Sequence, residues 1–88
     1  GMMPAEDEQS GFVVKDIKAS FLATAALGDL LDVKTTVLKL RNSSTLLQQE
    51  VYRENSKLFT MEILLVYVKE GKPVRIPEAY RELFGLYQ

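Results

Sequence analysis

The 88-residue chain carries 11 lysines and arginines against 12 aspartates and glutamates, no histidine, no cysteine and 47% hydrophobic side chains. A chain this short forms one small domain, which buries only about 60% of the surface its unfolded form exposes, so its stability is thin without a partner. The balanced charge leaves no basic stripe for nucleic acid, the missing imidazole excludes Ser–His and Cys–His catalysis, and the missing cysteine excludes disulfides and thiolate metal sites.

Residues 1–11 hold Pro4, Glu6, Asp7, Glu8, Gln9, Ser10 and Gly11 without periodicity and read as a flexible acidic lead-in, with Gly1 ahead of Met2 as an expression scar and 12–88 as the folded domain. No signal-peptide pattern opens the chain, and no apolar run reaches the roughly 18 residues of a membrane span, so the expected location is the cytoplasm. From Phe12 an alternation begins, with Val13, Ile17, Ala19 and Phe21 on one side and Asp16, Lys18 and Ser20 on the other, as in a half-buried strand. Residues 20–31 are open between two readings. Phe21, Leu22, Ala25, Ala26 and Leu30 make a helical stripe behind a Ser20 cap, whereas Thr24 and Gly28 favour strand, turn and strand.

Leu31, Val33, Thr35 and Val37 alternate with Asp32, Lys34 and Thr36, and then Leu38 and Leu40 fall on the opposite parity, which predicts a β-bulge. A polar turn, 41–44, leads to a third strand with Leu47, Gln49 and Val51 facing one way and Gln48, Glu50 and Tyr52 the other. Asn55 and Ser56 predict a hairpin turn, because Asn tolerates the left-handed conformation. The fourth strand, 58–69, contains the unbroken run Ile63, Leu64, Leu65, Val66, Tyr67 and Val68, which belongs mid-sheet. Glu70, Gly71, Lys72 and Pro73 form a turn, and Pro77 at the first helical position opens a helix over 76–87 whose stripe, Tyr80, Leu83, Phe84 and Tyr87, must dock on something.

Few residues suggest chemistry. The neighbouring carboxylates Asp29 and Asp32, and Glu50 and Glu54, read as solvated strand ends, Glu6, Asp7 and Glu8 as a solvated tail, and Tyr67 and Tyr80 as packing residues. No metal or cofactor site is indicated. Arg41, Lys72 and Arg75 sit in or beside turns, where side chains meet phosphorylated ligands as readily as they meet water.

The order and wording of the strands resemble the hot-dog-fold acyl-CoA thioesterases, in the 4-hydroxybenzoyl-CoA and Tol–Pal-associated branch. The matching features are the strand from Phe12 to Phe21, the Ala-x-Leu-x-Asp link at Ala25, Leu27 and Asp29, the strand from Leu30, the turn residues Arg41 and Ser44, the strand 47–51, and the closing stretch from Gly71 to Pro77. The resemblance implies strand, link and strand over 20–31, and an α+β fold: a partial hot dog, with a four-stranded antiparallel sheet ordered second, third, fourth, first, plus a C-terminal helix. Family members carry their catalytic Asp on an N-terminal segment leading into the central helix that the sheet wraps. No position here matches that motif, so the resemblance assigns no catalytic residue and implies a chain beginning just downstream of that segment.

On this reading the uncovered sheet face meets either the helix stripe or a second subunit, and the edge strand from Val13 to Phe21 pairs with its twin in a homodimer. Arg41, Lys72 and Arg75 become the candidate contacts to the phosphates of an acyl-CoA ligand. The implied function is that of a thioesterase relative inactive as this chain; the alternative is a non-catalytic oligomeric module that binds an acyl ligand or serves assembly only.

Overall fold

The computed structural model describes residues 9–88. The acidic residues Glu6, Asp7 and Glu8 of the expected lead-in lie outside the described residues. Strands β1 (Ser10–Phe21), β2 (Asp32–Leu40), β3 (Ser44–Arg53) and β4 (Ser56–Lys69) are followed by the two-residue β5 (Lys72–Pro73) and helix α1 (Glu78–Gly85). All pairings are antiparallel, and the order β1-β4-β3-β2, with β5 on β4, is the order expected from the resemblance. The apolar run of β4 lies between β1 and β3, since only a central strand buries both of its faces. No helix forms between β1 and β2.

Two of the three register shifts in the sheet set which residues of β1 and β2 share a face. The register shift between Val37 and Lys39 is the one the parity switch predicts, and the Thr45 hydroxyl closes it by donating to the Lys39 carbonyl at 3.0 Å. Leu40 thereby returns to the face of Val37. A second shift, between Val14 and Asp16, corrects the reading of β1: Lys15 is the extra residue, so Phe12 and Val14, not Val13, join Ile17, Ala19 and Phe21. Opposed residues share a face, and the ring pairs Phe12 with Tyr67 and Phe21 with Phe59, with centroids 5.0 and 4.8 Å apart, mark this one. Val13 faces the other way, opposite Val66.

Three turn details also differ from expectation. The left-handed residue of the β3–β4 hairpin is Glu54, at φ 55°, not Asn55, and Ser56 already pairs with Arg53. Beyond β4, Glu70 and Gly71 both take positive φ, 52° and 81°, the mark of a tight two-residue hairpin, so Lys72 and Pro73 fold back onto Lys69 and Val68 as β5. Pro77, at φ −58° and ψ 151°, caps the helix from one position ahead of it, and before it the Ile76 side chain is fully buried and its amide donates to the Asn42 carbonyl at 2.8 Å.

Helix α1 covers one end of the apolar face. Phe12 meets the rings of Tyr67, Tyr80 and Phe84 edge-on at 5.0, 5.2 and 5.8 Å, and the Val37 amide on the β2 edge donates to the Tyr87 carbonyl at 2.9 Å. The rest of that face is open: Val14, Ile17, Val33 and Phe21 are 56, 53, 63 and 84% exposed. The radius of gyration, 15.9 Å, exceeds the roughly 12 Å of a compact domain of this length. The exposed surface, 6172 Å², exceeds the roughly 5200 Å² of an ordinary monomer of this mass.

Candidate functional site

The open face ends in an apolar cleft of about 460 Å³, within the range of small-molecule pockets. Phe21, Leu22, Leu31, Val51, Leu58 and Phe59 line it, with Thr24 at its wall. Its far wall is the 22–31 link, which is held firmly for an irregular segment. The Leu22 and Ala23 amides donate to the Leu58 carbonyl at 2.8 and 3.2 Å, and the Ala26 amide donates to Asp29 Oδ2 at 2.7 Å. Arg53 adds bonds to the same Oδ2 at 3.0 Å and to the Thr24 carbonyl at 3.3 Å. No lining residue is ionisable among the described residues, so the cleft suits a hydrocarbon chain and offers a thioester neither base nor activated nucleophile.

The neighbouring carboxylates flagged in the sequence do not pair with each other. The Ala26 amide, and then Arg53, hold the Asp29 carboxyl below its usual range. Glu50, 7% exposed, accepts from Lys57 Nζ at 2.6 Å, which lowers the Glu50 carboxyl and raises the Lys57 ammonium. A depressed acid stabilises the fold above its unfolded value and ceases to do so as pH falls through its folded one; a raised base does the reverse. The Glu50–Lys57 contribution is therefore complete between about pH 4.5 and 10.5, the ordinary values of the two groups, and fades beyond each limit. Thermal melts are expected to show Tm falling as pH drops below about 4.5, with a flatter acid limb in Glu50→Gln; an unchanged limb in that variant would assign acid sensitivity elsewhere.

The basic residues divide. Arg75 reaches the β2–β3 hairpin that starts at Arg41, its Nη1 donating to Asn42 Oδ1 at 3.0 Å. Lys72 lies on β5, opposite Lys69. Sequence reasoning missed Arg81, whose Nη1 donates to the Arg41 and Asn42 carbonyls at 2.9 and 3.3 Å. It flanks the apolar stripe of α1, and no local pattern ties it to a turn 40 residues earlier. The hairpin and the cleft lie at opposite ends of the sheet. They are separated by the six residue steps from Thr45 to Val51, about 20 Å at roughly 3.3 Å per step.

A family model, the thioesterase superfamily, matches residues 2–60. A Helicobacter pylori protein named acyl-CoA thioesterase YbgC is 34% identical over 91% of this chain and 68% of its own length. The chain belongs to the thioesterase superfamily. A Haemophilus influenzae protein of the same name is 31% identical over 90% of the chain and 60% of its own length. A Thermus thermophilus thioesterase, solved with coenzyme A and zinc, superposes with a TM-score of 0.74 at 28% identity, over 86% of this chain and 58% of its own. The thioesterase fold is thus that of the hot-dog sheet, and the chain spans about three fifths to two thirds of the length of these relatives. No helix among the described residues is long and apolar enough to cross a membrane.

Proposed function

We propose that this thioesterase-superfamily domain binds acyl-CoA along the apolar face of its sheet and, as these 88 residues alone, does not hydrolyse it. The supporting observation is the separation of two complementary regions. A basic hairpin and an apolar cleft about 20 Å apart suit a ligand with a phosphorylated head and an acyl tail at the two ends of a long arm. Arg41, Lys72 and Arg75 are the proposed phosphate contacts, and the cleft beside Phe21 is the proposed seat of the acyl chain. The names of the relatives and the coenzyme A bound to the Thermus protein support the ligand class. The lack of any ionisable cleft residue among those described supports the inactivity, since thioester attack needs a base or a depressed-pKa nucleophile.

The exposed apolar residues Val13, Val14, Ile17 and Phe21 on the edge strand β1 favour a second element of the reading, a homodimer joined through that edge. The absence of cysteine suits a reducing compartment, and the proposed location is the cytoplasm.

Calorimetric titration with coenzyme A and with a long-chain acyl-CoA, beside an assay for released thiol, tests the proposal. Both ligands are expected to bind, the acylated one more tightly, with thiol release at the level of a protein-free blank. Turnover above that blank would overturn the inactivity. Failure of both ligands to bind would leave the domain an assembly module only.

A further inference from the structure

The wall at the far end of the apolar cleft is made of small residues. Ala23, Thr24 and Ala25 line it, in the irregular link between β1 and β2. Side chains this short add little bulk, so where the wall stands depends on how its backbone is held.

Hydrogen bonds hold it. The Leu22 and Ala23 amides donate to the Leu58 carbonyl at 2.8 and 3.2 Å, which fixes the start of the link to β4. Further on, Asp29 Oδ2 accepts from the Ala26 amide at 2.7 Å, the Asp29 amide donates to the Ala26 carbonyl at 3.0 Å, and Gly28 takes φ 91° between them, so residues 26–29 form one closed turn. Arg53, the last residue of β3, joins that turn to the wall: its Nη1 donates to Asp29 Oδ2 at 3.0 Å and to the Thr24 carbonyl at 3.3 Å. Apolar packing does not do this work, because Leu27 and Leu30 of the same link are 105 and 90% exposed.

We propose that Arg53 is the positioning residue that sets how long an acyl chain the cleft admits. The inference rests on the acyl-CoA reading above and deepens it: a tail running along β3 from the hairpin toward Val51 meets this link at the far end of the cleft. Arg53 is not among the cleft's lining residues and acts through the backbone it ties. A guanidinium suits the task, since it donates to a carboxylate and a carbonyl together. Both members of the ion pair keep contact with water, their side chains 37 and 21% exposed, so removing either one moves the wall without stranding a buried charge.

Calorimetric titration of the full chain with straight-chain acyl-CoAs, lengthened two carbons at a time, tests this. Wild-type affinity is expected to rise about fourfold per methylene while the tail fills the cleft, and to level off where the tail meets the wall. Arg53→Met, of similar length without donors, and Asp29→Ala, which removes the acceptor shared by Ala26 and Arg53, should move the levelling point to longer chains. For the first two carbons beyond the wild-type limit they should gain about tenfold where the wild type gains less than twofold. Ala25→Phe, which adds bulk to a lining residue, should move the limit to shorter chains. A general loss of structure lowers every affinity and leaves the limit in place, so the shift is the signature of positioning. Arg53→Met levelling at the wild-type length overturns the positioning role, and should that variant not fold, Asp29→Ala decides in its place. Wild-type affinity that climbs to the longest chain also overturns it, since no wall then stops the tail. If Ala25→Phe shortens the limit and the other two variants leave it alone, the acyl seat survives without Arg53. A wild type that binds coenzyme A and its acylated forms equally, or binds neither, overturns the acyl seat and this inference together.

Discussion

Ile76→Ala is expected to cost about 2–5 kcal/mol, the usual range for truncating a fully buried isoleucine. An 88-residue domain at about 0.05–0.15 kcal/mol per residue has roughly 4–13 kcal/mol in total, so this one change removes a large share. The site is unforgiving because few apolar residues are fully enclosed: among the described residues these are Val37, Leu58 and Ile76. Ile76 is the anchor of the strap between β5 and α1, and its loss frees the helix that carries Tyr80, Phe84 and Arg81. Urea melts at fixed protein concentration, compared at equal m-value, measure the change. Leu27→Ala serves as the control, since Leu27 is wholly exposed and its truncation should fall within about 0.5 kcal/mol of zero. A loss below about 1 kcal/mol for Ile76→Ala would show that the strap is held by its hydrogen bonds instead.

Ile17→Lys is expected to convert a dimer into a monomer. If β1 pairs with its own twin over residues 13–21, the two-fold axis passes through the middle of that stretch, and Ile17 lies opposite Ile17 of the second copy. Like charges directly opposed across an antiparallel pair are destabilising, and here the symmetry makes the opposition unavoidable. The wild type has reason to associate. On β1, Val14, Ile17 and Phe21 leave apolar side chains in water that association would cover. Light scattering at micromolar concentration should give twice the chain mass for the wild type and the chain mass for Ile17→Lys, with a Tm that rises with concentration only in the former. A wild-type monomer would remove the proposed pairing, and a dimeric Ile17→Lys would move the interface away from the β1 edge.

Much of the sheet was legible from local pattern. The parity switch at Leu38 marks a real bulge, because an extra residue leaves a visible phase change when the flanking alternation is clean on both sides. The bulge at Lys15 left no such trace. Phe12, Val13 and Val14 are consecutive apolar residues that fit either phase, so the alternation could not show which of them joins Ile17. The contacts of the arginines were half legible. Arg41 and Arg75 stand in turn-rich sequence, whereas Arg81 flanks a helical stripe and carries no local sign of the turn it bonds.

By itself the sequence determined the strands, their alternation, the central place of β4, the final helix and the exclusion of imidazole and thiol chemistry, all of which are properties of composition or of neighbours a few residues apart. Tertiary structure alone decided which face Val13 takes, that Glu54 and Glu70 bear the left-handed turns, that Ile76 is an anchor outside the helix, and that Arg81 meets Arg41. Each of these depends on a register or contact between residues far apart in the chain, fixed by packing that no local window contains.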